Sequence, residues 1–242
     1  MPIDLITIAR EYGAGGSELA AVLGERLGWP VLDRALVHAV ATRLGLTDAA
    51  VERRDEHPAS RLEQLAALLL VLPPEAPIAA TTTDEYLSPT AVADAARAVI
   101  LEAAATPPLI VVGHGAASLF AARPGTLHLY LVAPLDARVR RVAGRTRWGA
   151  AAAATQARAM DRDRARYIAQ YHHVHWRDPL LYDLVLNTGR LSMEAAAAAV
   201  LALVTGPDGH PDGHPDGHQA PPMAAPGATP GHAHAGSPAA VG

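Results

Sequence analysis

The chain of 242 residues contains no cysteine, which excludes disulfides and thiolate metal sites and makes a cytoplasmic location the default expectation. It contains no lysine either: all 20 of the Lys+Arg residues are arginine. Any step that would ordinarily use an ammonium group must therefore use a guanidinium, a backbone amide or a metal ion. Long apolar runs are also missing. Half of the residues are apolar, but charged residues interrupt them well short of the roughly 18 consecutive apolar positions of a membrane span. The opening MPIDLITIAR lacks the basic start, long apolar segment and small-residue cleavage site of a secretory signal, so none is expected. A net charge of -4 argues against a nucleic-acid polyanion as the main partner, while local arginine clusters still suit small phosphates.

What is present divides the chain. From Pro207 the unit Pro-Asp-Gly-His occurs three times, and the remainder to Gly242 is mostly Pro, Gly, Ala and His. Such a composition cannot bury enough apolar surface to offset the entropy of ordering, so residues 206–242 are expected to be a disordered tail. Before it, the runs LITIA (5–9), LIVVG (109–113), LHLYLVA (127–133) and DLVLN (183–187) read as buried strands, each followed by turn residues and a helical pattern. Val31–Ala41 adds a short strand and helix, and 89–105 another helix. Strands alternating with helices predict a parallel sheet covered on both faces. Leu19, Val22, Leu23 and Leu27 form one apolar stripe that would lie on it. The loop-like stretch 73–89 is where a substrate-binding insert would sit.

The first strand runs into Gly13-Ala14-Gly15-Gly16 and a helix starting near Ser17. Several backbone amides and a helix N-terminus then meet at one spot, an arrangement that attracts anions. Compared with the phosphate loop G-x-x-x-x-G-K-[ST], Gly15 aligns with the second glycine. Arg10 then stands at the first glycine, Gly16 at the lysine and Ser17 at the magnesium-binding hydroxyl. A tight connection without a ligand, capped by Ser17, is the other reading. Glu18 suits the helix dipole but would repel phosphate if it pointed inward.

Further along, Arg158, Arg162 and Arg166 are spaced to form one guanidinium stripe on a helix, with Arg164 to the side. Such a stripe stabilises the charge of a migrating phosphoryl group. A solvated helix with Asp161–Arg164 and Asp163–Arg166 pairs is the alternative. Arg10 at the strand end points either to a phosphate or to an ion pair with Glu11 or Asp33. Asp33 itself holds magnesium through water, binds the substrate, or caps the helix RALVHAV. HHVHW at 172–176 and the five tail histidines suit loose zinc or nickel binding rather than a defined site.

In this order, ITIAREYGAGGSELAAVLGERLGWPVLDRALV, PLIVVGHGAASLF and MDRDRARYIAQYHHVHWRDPLLYDLVLNTGRLSMEAAAAAV resemble the cytidylate kinase-like family of P-loop nucleoside monophosphate kinases. The likeness covers about residues 3–204 and is weakest between 45 and 90. Members begin with a similar Ser/Ala-Arg-Glu-aromatic-Gly-x-Gly-Gly turn. Asp33-Arg34 resembles the turn near the monophosphate pocket of bacterial cytidylate kinases. Gly113-His114-Gly115 stands where those enzymes have Gly-Arg-Asp, and Asp161 to Arg166 matches their lid run. Asp183 to Gly189 resembles the strand and turn near the adenine.

The resemblance implies a three-layer α/β P-loop kinase fold over residues 1–205, with a parallel central sheet and a helical lid. It implies ATP and Mg2+ as cofactors and a nucleoside monophosphate, CMP or dCMP, as acceptor. Gly13, Ala14, Gly15, Gly16 and Ser17 would cradle the donor phosphates, with Ser17 a metal ligand. Arg10, Arg162 and Arg166 would be catalytic, and Asp33, Arg34, Arg97 and His114 would contact the acceptor. No nucleic acid and no membrane is expected as partner, and the sequence indicates no oligomeric state. Two rival readings remain: a nucleotide-binding regulator without turnover, favoured by Gly16 and His114, and a metal-handling protein built on the histidine tail.

Overall fold

The computed structural model describes residues 2–44 and 89–206, apart from the side chain of Arg34. The insert expected at 73–89 lies outside them except for Pro89, and so does the tail from 207 onward. Five strands form one parallel sheet: β1 (Leu5–Arg10), β2 (Val31–Leu32), β3 (Leu109–Val112), β4 (Thr126–Val132) and β5 (Leu184–Asn187), in the spatial order β2-β3-β1-β4-β5. The helices are α1 (Gly16–Leu27), α2 (Arg34–Arg43), α3 (Pro89–Ala104), α4 (Ala116–Leu119), α5 (Leu135–Arg145), α6 (Ala150–His172) and α7 (Met193–Thr205).

Side-chain alternation along the strands builds two cores. In β3, Leu109 and Val111 face one side with the buried residues of α2 and α3, including Leu36, Val40 and Ile100. Ile110 and Val112 face the other, with Leu19 and Leu23 of α1 and Ala196 and Val200 of α7. Strands buried on both faces read as continuous apolar runs, which is why they stand out in the sequence. Val22 and Leu27 complete the stripe of α1 as partly buried neighbours of the second core. Over β4 the first face is different: His128 and Tyr130 occupy it, and His128 Nδ1 meets Thr7 Oγ1 of β1 at 2.7 Å.

This topology fixes where a ligand can go. From central β1 the chain travels past β3 to form β2, returns to β3, and then crosses to β4 on the other side of β1. The connections leaving the ends of β1 and β3 diverge, and such a switch point opens a crevice beyond the C-terminal ends of the strands.

Candidate active site

The glycine turn presents its amides because its carbonyls are engaged. Gly13 and Gly15 take φ values of 81° and 90°, a left-handed backbone that side chains with a Cβ disfavour. Arg141 of α5 donates Nη1–H to Gly13 O at 2.6 Å and Nη2–H to Thr188 O at 3.1 Å, and Thr188 Oγ1 donates to Ala14 O at 2.7 Å. The N-cap of α1 is Gly15, without a side-chain cap bond; Ser17 is exposed in the first turn. The amides of Gly15, Gly16 and Ser17 have no acceptor among the described residues. They are oriented as a helix N-terminus and fit the oxygens of a phosphate. Glu18 turns outward, where Arg145 Nη2 donates to its Oε2 at 2.5 Å, so its charge is neutralised at the surface.

Gly16, at the position of the absent lysine, makes room for Arg10. A Cβ there would lie 2.8 Å from Arg10 Cγ and 3.1 Å from its Cβ and Cδ. Because the stem of Arg10 rather than its flexible end would have to move, Gly16→Ala is expected to destabilise the fold by about 1–3 kcal/mol. Gly16→Lys should lower any activity rather than restore it. Thermal melts and a turnover assay check both, and a gain of activity in the lysine variant would overturn the account.

From Gly16 the Arg10 side chain continues to Gly113 just after β3, where its guanidinium fills the space that a Cβ would take. There it meets Arg164 of α6, whose Nη1–H donates to Arg10 O at 3.0 Å. Burial holds the Arg10 pKa below its ordinary value against the pull of Asp33. Burial and then the charge of Arg10 push Arg164 down to about 9, with Asp161, Tyr12 and Asp33 opposing. Three of the nearby carboxylates have other cationic partners, Glu11 with Arg138 and Arg177, Asp161 with Arg138, and Asp163, itself on the crevice wall, with Arg166, while Asp33 acts on both arginines only from beyond ion-pair distance. Two partly buried guanidiniums within electrostatic reach repel each other, and an anion bound by both would relieve the repulsion and the desolvation together.

These cations open into a crevice of about 700 Å3, its solvent mouth included, that also receives His114, Ser118, Tyr167, Ile168, Trp176 and Tyr182. Its aromatic wall is built by Tyr130, which stacks on Tyr182 at 4.8 Å and meets Trp176 edge-on at 5.7 Å between centroids. Tyr182 Oη donates to Trp176 O at 2.5 Å and closes the segment between them into a loop. Apolar aromatic faces beside a few convergent polar groups are what a pocket for a planar ring bearing an anion requires.

His114 is held at φ 53° between Gly113 and Gly115, at 82° and 72°. A left-handed non-glycine residue is strained and persists where surrounding structure enforces it, often at a functional site. Burial, then Arg10 and Arg164, lower its pKa from 6.5 to about 3, so the ring is neutral at physiological pH. The unfolded chain takes up this proton near pH 6.5 and the folded one only near 3. His114 therefore contributes stability that is complete above pH 6.5 and is lost as the pH falls toward 3. In His114→Asn, a residue that tolerates this backbone, the drop in urea midpoint between pH 7.5 and 4.5 should shrink; an unchanged drop would count against this assignment.

The structure brings Arg10 and His114 together as lining of the crevice and puts Asp33 at the head of α2 within electrostatic reach of Arg10. Asp33 occupies the N-cap position but makes no side-chain cap bond. Arg34 is the first residue of α2. Arg97 is exposed on α3, with its charge near His172. The crevice is lined by none of Gly13 to Ser17, which lie on the other side of Arg10. The arginine stripe differs from expectation: Arg162 and Arg166 are exposed, and Arg164 is the one turned inward. Ala153, Ala157, Met160 and Asp161 are the buried residues of α6, and that spacing continues to Arg164. Of the two pairs in the alternative reading, Asp161 meets Arg138 instead of Arg164, whereas Arg166 does approach Asp163, at 3.5 Å. Sequence reasoning missed Trp176 and Tyr182; the aromatic residues just after the histidine cluster were the available signal.

The family model described as the cytidylate kinase-like family matches residues 5–190. Among solved structures, an uncharacterized protein from Eubacterium ventriosum is 19% identical with a TM-score of 0.60, covering 84% of this chain and 98% of that one. A shikimate kinase from Bacteroides thetaiotaomicron is 14% identical with a TM-score of 0.47, covering 83% and 98%. No curated protein matches the chain.

Proposed function

The chain belongs to the cytidylate kinase-like family, and from that footing we propose that it is a phosphotransferase moving the γ-phosphoryl group of ATP to a nucleoside monophosphate, CMP or dCMP. The observation that carries this reading is the pair of partly buried guanidiniums, Arg10 and Arg164, which form no ion pair with a carboxylate among the described residues and stand beside an aromatic wall. Bound ATP with Mg2+ would supply the phosphoryl group to be transferred and cationic charge to offset that of its phosphates. The chain supplies position and field. The amides of Gly15 to Ser17 hold donor phosphate oxygens, and the Ser17 hydroxyl and Asp33 carboxylate are hard oxygen donors of the kind magnesium prefers.

Arg10 lies between the glycine turn and the crevice, so its guanidinium faces the line along which the phosphoryl group travels. With Arg164 it takes the place of the missing ammonium and stabilises charge on the equatorial oxygens. The acceptor phosphate rests against Arg164 and the neutral His114, and the base against Trp176 and Tyr182. Phosphoryl transfer between phosphates needs no strong base, which suits a histidine that stays unprotonated. In this reading the kinase unit ends near Thr205, where α7 stops, and works in the cytoplasm.

A second reading, a nucleotide-binding regulator of the same fold, is favoured by the absence of any cation at position 16. ADP formation from ATP and magnesium against a panel of monophosphates separates them. Turnover confined to CMP or dCMP, and lost in Arg10→Ala, supports the kinase. ATP binding without turnover on any monophosphate would make the chain a regulator.

A further inference from the structure

Arg164 is available to a ligand although it lies three positions after Asp161 on α6, a spacing at which guanidinium and carboxylate commonly pair. Tyr12 stands in the way. Its N–H donates to Asp161 Oδ1 at 2.8 Å, and its carbonyl accepts from Arg138 Nη1 at 3.2 Å, so the backbone of this residue is pinned to the buried ion pair. Its ring lies under the Arg164 guanidinium, 5.8 Å from Cζ to the centroid. One residue thus engages Asp161 through its backbone and Arg164 through its ring.

We propose that Tyr12 is a positioning residue, whose ring holds the Arg164 guanidinium away from Asp161 and aimed across Arg10 into the crevice. A cation over an aromatic face is attracted by the negative π-surface, and more strongly where water is excluded. The ring therefore supports the charge without cancelling it, as a carboxylate would. Arg164 keeps a field that an anionic ligand can use. Without the ring, the guanidinium swings back onto Asp161, weakening both the anion site and the Asp161–Arg138 pair. This inference rests on the reading of the crevice as an anion site.

The test is calorimetric titration of the full chain with inorganic phosphate, and separately with CMP, in Tyr12→Leu, Tyr12→Phe, Arg164→Ala and the Tyr12→Leu/Arg164→Ala double variant, each checked by melting for a folded state. Tyr12→Leu should weaken phosphate binding about tenfold, and Tyr12→Phe, which keeps the ring, by less than about twofold. In the Arg164→Ala background the leucine change should have no further effect. Equal losses in both backgrounds, a phenylalanine variant as weak as the leucine one, or no phosphate binding by the native chain would each overturn the assignment. Coupling seen with phosphate while CMP fails to bind would leave Tyr12 in its role and remove the proposed acceptor.

Discussion

Arg164→Ala is expected to lower turnover by about two to three orders of magnitude, the usual cost of deleting one preorganised donor to developing charge. Arg162→Ala should change it by less than about twofold. The contrast follows from helix geometry. Arg162 is exposed, whereas Arg164 shares the crevice with Arg10 and bonds its carbonyl. Stability should move the other way in the Arg164 variant, because deleting one of two adjacent desolvated cations removes a repulsion from the ligand-free protein. Catalytic sites commonly carry such a cost. Steady-state rates with ATP and CMP, set beside urea midpoints, measure both halves. If Arg162→Ala proves the more damaging change, the exposed face of α6 must close over the ligand and the present assignment fails.

The fold was legible because the strands of a doubly covered parallel sheet are short apolar runs, and LIVV or LHLYLV can hardly be mistaken for surface. The glycine turn was legible for a similar reason: few backbones other than an anion-binding or very tight turn need Gly13 and Gly15 together. Helix α6 was harder. Its arginines at 158, 162 and 166 invite a reading by charge, but the helix seats itself by burial of Ala153, Ala157, Met160 and Asp161. One of those four is a carboxylate, which a hydrophobicity pattern counts as surface. The aromatic wall was less legible still. Trp176 and Tyr182 belong to an irregular segment with no period, and only the tertiary stack on Tyr130 brings them to the site.

The buried aspartate is also where the largest loss of stability is expected. Asp161→Ala should cost about 3 kcal/mol, because the enclosed Arg138 would lose its 2.6 Å partner and keep only Glu11, at 3.5 Å. Asp161 and Arg138 have side chains only 5% and 8% exposed and meet at 2.6 Å. Arg138 cannot easily turn to water, since its Nε–H donates to Ala133 O at 2.9 Å and its Nη1–H also reaches Tyr12 O. Replacing both partners together, as Asp161→Leu with Arg138→Met, should recover most of the loss, because well-packed apolar pairs often equal the ion pairs they replace. Urea midpoints of the single and double variants decide it, and a loss under about 1 kcal/mol in Asp161→Ala would contradict a buried, dependent pair. The double variant carries the functional consequence. It should fold, yet Tyr12 N–H would have lost its acceptor and the glycine turn its tie to α6. Phosphate affinity should then fall even where stability is restored, which separates what the ion pair does for the fold from what it does for the site.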